Sequence, residues 1–117
     1  MQTKITITWS AFDRPEMPDS CKASQSIEFT VDIASAYFDE EILDVLFAQT
    51  NCYKGRIWDK MNEIGLPAFR THTALSVGDR VRIERNNDNS LYVCENVGWH
   101  LVSFDHVWLP PVMEESI

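Results

Sequence analysis

Ser26-Ile27-Glu28-Phe29-Thr30-Val31-Asp32-Ile33 alternates polar and apolar residues without a break. A period of two puts Ile27, Phe29, Val31 and Ile33 on one side of an extended chain and the polar residues on the other, as in a strand with one buried face. Lys4 to Phe12 repeats the pattern upstream, with Ile5, Ile7, Trp9 and Ala11 on one face and Thr6, Thr8 and Ser10 on the other. Between them, Asp13 to Ser24 holds Pro15, Pro18, Asp19 and Ser20 and reads as a loop. Two strands so joined are expected to pair as a hairpin with an exposed connection.

A helix is expected next. Asp39 suits the N-cap, Glu40 and Glu41 suit the positive end of the helix dipole, and Phe38 is placed to staple against Leu43. Ile42, Leu43, Val45, Leu46 and Phe47 supply a wide apolar face, and the helix should end near Thr50-Asn51. Ile57, Trp58, Met61 and Ile64 have helical spacing within a second stretch, Gly55 to Ile64, which Gly65-Leu66-Pro67 stops. The C-terminal part reads as a meander. Val81 and Ile83 point inward in one strand, Asn86 to Ser90 form a hairpin turn, and Leu91 to Glu95 form the next strand. Val97-Gly98 turns into a third strand, Trp99 to Phe104, and Val107-Trp108-Leu109 suggests a short edge strand. The expected class is α+β: an antiparallel sheet with an N-terminal hairpin, one or two helices and a C-terminal three-stranded meander. Residues 1–117 suit a single domain with a loose tail over 111–117.

Composition narrows the function classes. Hydrophobic residues make up 44% of the 117-residue chain, a globular proportion. No apolar run approaches the roughly 18 residues of a membrane span, and the N-terminus lacks the apolar core of a signal peptide. Cys21, Cys52 and Cys94 are odd in number, widely spaced and without a C-x-x-C pair, which favours reduced thiols and a cytoplasmic location over a disulfide framework or zinc site. His72, His100 and His106 have no spacing to one another or to Cys94 that suggests a metal site or a Cys-His dyad. Neither paired carboxylates nor a nucleophile–base spacing stands out. The expectation is therefore a binding protein, not an enzyme, without metal or cofactor.

The net charge of -8 is segregated. Residues 1–50 hold nine acids against three bases, and residues 86–117 hold five acids and no Lys or Arg. The middle reverses sign, with Lys54, Arg56, Lys60, Arg70, Arg80, Arg82 and Arg85 against four acids. A net acidic chain is repelled by phosphate, so direct nucleic-acid binding is disfavoured and a basic protein surface is the more natural partner. Asp39, Glu40, Glu41 and Asp44 form an acidic helix start, which Asp13, Glu16 and Asp19 of the first loop would extend if the fold brings them near. Helix stabilisation is the simpler account of the first three, with a phosphate-mimicking face as the functional alternative, and solubility is the simpler account of the overall charge. Arg80, Arg82 and Arg85 read as a stripe on one strand face, or as cross-strand partners of Glu84 or Glu95. Trp9, Trp58, Trp99 and Trp108 are core candidates, with Trp58 and Trp108 the two that could instead anchor a partner.

The most distinctive stretch is His72-Thr73-Ala74-Leu75-Ser76-Val77-Gly78-Asp79-Arg80-Val81. Gly78 supplies the positive φ of a tight turn, Asp79 can accept backbone N–H groups across it, and Leu75 and Val77 should both point inward. With Phe47, Thr50 and Asn51 before it, and Tyr92, Val93, Gly98 and Trp99 after it, the motif of His72, Leu75, Ser76, Val77 and Asp79 resembles the YodL-like and KfrB-like small domains of phages and conjugative plasmids. The resemblance covers roughly residues 38–104. Thr73-Ala74 lengthens the motif, and Gly78 stands where the family often has Ser. The resemblance implies an accessory protein of a mobile element that works by binding. It could block a host defence protein in the manner of an anti-CRISPR or anti-restriction protein, either as a monomer or as a homodimer. The alternative is a regulatory or replication factor that meets nucleic acid through Arg56, Lys60, Arg70, Arg80 and Arg82.

Overall fold

In a computed structural model, the structure describes residues 1–11, 24–67, 70 and 73–106. Its elements are β1 (Gln2–Trp9), β2 (Gln25–Asp32), α1 (Asp39–Cys52), α2 (Arg56–Ile64), β3 (Arg80–Arg85), β4 (Asp88–Cys94) and β5 (Trp99–His106). The strands form one antiparallel sheet in the order β2-β1-β3-β4-β5. The N-terminal hairpin, two helices and C-terminal meander agree with the α+β expectation. Val107-Trp108-Leu109 lies outside the described residues.

Strand alternation builds the core. Ile5, Ile7 and Trp9 of β1, Ile27, Phe29 and Val31 of β2, and Val81 and Ile83 of β3 are buried on one face. Ile42, Leu43 and Leu46 of α1 and Ile57 and Met61 of α2 close over them. Each such side chain contributes roughly 1.5–3 kcal/mol when fully buried. The first strand ends sooner than its alternation suggests: β1 stops at Trp9 and Ala11 is exposed. Val45 and Phe47 of α1 are also exposed, because the stripe over the sheet is narrower than the apolar run and continues instead through Thr50.

The helix ends differ from their sequence reading. Phe38, not Asp39, is the N-cap of α1, and the Glu41 carboxylate accepts the Phe38 N–H at 2.9 Å. Asp39 is engaged elsewhere, by Tyr92. Phe38 is 71% exposed while Leu43 is fully buried, so the staple does not form. The start of α2 is capped from the neighbouring helix: Gln49 Oε1 accepts the N–H groups of Ile57 at 2.7 Å and Trp58 at 3.2 Å. Gly55 permits this, since its φ is 119° and a Cβ there would lie 2.3 Å from Gln49 Cδ.

Under the helices, polar groups are satisfied in a chain. Trp9 Nε1 donates to the Thr73 carbonyl, Trp58 Nε1 donates to Thr73 Oγ1, and that hydroxyl donates to the Thr50 carbonyl. Trp9 and Trp58 are thereby fixed in the structure, and Trp99 packs partly buried against the core.

Candidate protein-interaction surface

The distinctive motif forms a tight turn. Gly78 has φ 95°, and Asp79 Oδ2 accepts the Ser76 N–H at 2.8 Å. The other carboxylate oxygen, Oδ1, accepts the Ser10 N–H at 2.8 Å, so the same buried side chain also ties the exit of β1. Leu75 is buried as expected, but Val77 is 57% exposed, because it sits at the tip of the turn and not in an extended strand. Gly98 has positive φ in the turn before β5, and Trp99 follows it. These motif residues shape the fold around β3 and β5. His72 lies outside the described residues.

The acidic start of α1 is a surface. Asp39 is half-buried and accepts the Tyr92 hydroxyl at 2.7 Å, and Glu41 closes its own helix end. Glu40 and Asp44 are exposed and one helical turn apart, so they present charge on the same side. Asp13, Glu16 and Asp19 lie outside the described residues. A groove of about 360 Å³ opens at this end of α1. It joins Tyr37, Phe38, Asp39 and Glu40 to Arg85, Asp88 and Tyr92. Two of its aromatic side chains, Tyr37 and Phe38, are exposed. Burial, and then the bonded Asp39 carboxylate, push the Tyr92 phenol well above its ordinary range, which keeps it a neutral donor.

The cations that line the groove are already engaged: the Met1 ammonium pairs with Asp32 at 2.6 Å, and Arg85 bonds backbone carbonyls. Arg85 Nη1 donates to the Tyr37 carbonyl at 2.6 Å and Nη2 to the Ala34 carbonyl at 3.0 Å, which fixes the β2–α1 connection. Arg85 therefore does not share a face with Arg80 and Arg82: it lies five and three positions on from them, both odd offsets, and strand side chains alternate. Nor do these arginines pair with Glu84 or Glu95. Arg82 donates to Asn89 Oδ1, while Lys4 reaches both Glu84 and Glu28. The turn between β3 and β4 explains the first partner. Only Asn86 and Asn87 form it, both at positive φ, so Asp88, Asn89 and Ser90 belong to β4 rather than to the turn.

The basic middle segment is dispersed. Arg80 and Arg82 lie on the sheet face opposite the helices, whereas Arg56 and Lys60 belong to α2. Arg56 donates to the Asp32 carbonyl, and Arg70 is buried over the Trp9 ring, 4.2 Å from its centroid. A second groove, of about 380 Å³, runs between α1, α2 and the end of β2, lined by Val31, Ile33, Ile42 and Ile57 with Glu41 and Arg56 at its rim.

Cys94 is buried, and burial raises its thiol above the ordinary range, whereas Cys52 is exposed. Among the described residues no group of three His, Cys, Asp or Glu side chains could hold a metal ion. No described helix is long and apolar enough to cross a membrane. Compared with protein-family models, characterised proteins and solved structures, the chain matches none.

Sequence reasoning located Asp39 and Glu40 but missed the groove. It is built from three separated segments, and the only hint was the Tyr37-Phe38 pair ahead of the acids.

Proposed function

We propose that this chain is a binding protein of phage or plasmid type that inhibits a host defence protein by docking its acidic end on a basic surface. The observation that carries the reading is the groove at the start of α1. There Asp39, Glu40 and Asp88 line the same depression as the exposed aromatic rings of Tyr37 and Phe38. Aromatic side chains supply most of the affinity in many protein interfaces, and the surrounding charges steer the encounter. The mobile-element part of the reading rests on the resemblance carried by Leu75 to Asp79 and Gly98-Trp99. The intramolecular bonds and contacts of Arg56, Arg70, Arg82 and Arg85 favour a protein partner over nucleic acid.

The test is capture of partners from a bacterial lysate by the native chain and by a Phe38→Ser/Glu40→Lys/Asp44→Lys variant. A protein retained by the first and lost with the second supports the reading. Equal retention by both removes this face from consideration. Tight binding of short DNA or RNA at low salt with a steep salt dependence sinks the acidic-inhibitor reading.

A further inference from the structure

The helix layer is narrower than the sheet. Two helices side by side, with axes about 8–10 Å apart, cover roughly four strands spaced about 4.8 Å apart. The fifth strand, β5, is left over: none of its residues is buried, whereas Ser90, Tyr92 and Cys94 of adjacent β4 are. The register sets Trp99 opposite Cys94, Leu101 opposite Tyr92 and Phe104 opposite Ser90. Facing residues share a sheet face, so Trp99, Leu101 and Phe104 continue the core face beyond the helices. Val102 has no partner at this step, because Leu91 pairs with Ser103 and Tyr92 with Leu101. This bulge disfavours simple edge-to-edge strand addition and leaves the face of the strand as the surface on offer.

Leu101 and Phe104 are 46% and 57% exposed. The patch is continuous with the acidic groove through Tyr92, which lines the groove and faces Leu101 across the strands. Residues 86–106 contain no Lys or Arg, and Asp88, Glu95 and Asp105 all fall in that span. Asp39 accepts the Tyr92 hydroxyl, and Glu40 lines the same groove as Tyr92. A second copy of this chain would set acid against acid, whereas a basic partner with an apolar projection complements both halves.

We infer that the exposed core face of β5, at Leu101 and Phe104, is the apolar half of one interface whose charged half is the groove at α1, and that its occupant is a protein segment carrying Lys or Arg beside apolar side chains. This rests on the acidic-docking reading above and adds an apolar requirement to it.

The test uses the full chain and two labelled synthetic peptides of about twelve residues, one alternating Lys and Leu and the other alternating Lys and Ser. With equal charge, the Lys-Leu peptide should bind about tenfold more tightly, a difference of about 1.4 kcal/mol. Leu101→Ser/Phe104→Ser should bring its affinity to the Lys-Ser level without affecting Lys-Ser binding. Circular dichroism should remain native, since both side chains are exposed. Equal affinities for the two peptides, or no effect of the Ser pair, overturn the apolar half even if Glu40→Lys/Asp44→Lys weakens both peptides. If that charge reversal changes neither affinity, the acidic reading itself fails. A self-associated chain that Leu101→Ser/Phe104→Ser converts to a monomer assigns the face to a second copy and overturns the proposal.

Discussion

The Tyr92 hydroxyl donates to Asp39 Oδ2 at 2.7 Å, joining the middle of β4 to the first turn of α1 across 53 residues of sequence. Helix and sheet meet at this bond beside the groove, so it orients Asp39 as well as stabilising the fold.

Tyr92→Phe keeps the ring and removes the bond. The expected loss is about 1 kcal/mol in urea denaturation at neutral pH. The phenol's folded pKa is raised, so its contribution is complete below the ordinary phenol pKa of about 10 and declines as pH rises beyond it. The stability gap between wild type and variant should therefore narrow in alkaline solution. A gap that widens there would contradict the assignment.

Asp79→Ala leaves the Ser10 and Ser76 N–H groups without their acceptor. At a buried site this should cost about 2–4 kcal/mol, counting a penalty for each donor. Asp79→Asn, which retains one carbonyl oxygen, should fall between the two. Thermal and urea unfolding measure both variants, and a cost below about 0.5 kcal/mol for Ala would refute the double role.

Gln49→Ala should destabilise by about 1 kcal/mol, as does loss of a helix cap, because it removes the acceptor for Ile57 and Trp58. Gly55→Ala should cost about 1–3 kcal/mol, since its φ is strained for Ala and its Cβ meets the Gln49 side chain. The double variant should cost less than the two together, because the clash disappears with Gln49. A double-mutant cycle by chemical denaturation measures the coupling. Simple additivity would show that the two do not meet.

Cys52 and Cys94 should separate cleanly on alkylation. The exposed Cys52 thiol should react in the native protein, and Cys94, buried and with its thiolate disfavoured, should react only on unfolding. Peptide mass spectrometry over a time course resolves the two sites. Equal native rates would show that β4 opens readily.

Much of the sheet was legible because alternation assigns a face to each residue locally. Ile5 to Trp9 and Ile27 to Val31 required no knowledge of the rest of the chain. Asp79 was legible on the side of its own turn, at Ser76. Its bond to Ser10 was not, because that partner is 69 residues away. Val77 was misread since a residue at a turn tip obeys no strand period. Val45 and Phe47 were misread since helix periodicity gives an apolar arc without revealing how wide a sheet lies under it. The acids at the start of α1 were visible as residues, but the groove requires β4 against α1. The open face of β5 required comparing the breadth of two layers, which no single window of sequence contains.

Sheet order carries a consequence for how the chain comes off the ribosome. β1 lies between β2 and β3, and β3 begins only at Arg80. During synthesis the first hairpin can close early, but the other edge of β1 must wait while both helices are made. At about 5–20 residues per second, that interval lasts several seconds. Throughout it, the main-chain groups of Thr6 and Thr8 that later meet Arg82 and Arg80 have no strand beside them. The polar outward side chains of β1, Lys4, Thr6 and Thr8, make that nascent edge less adhesive to other chains emerging nearby.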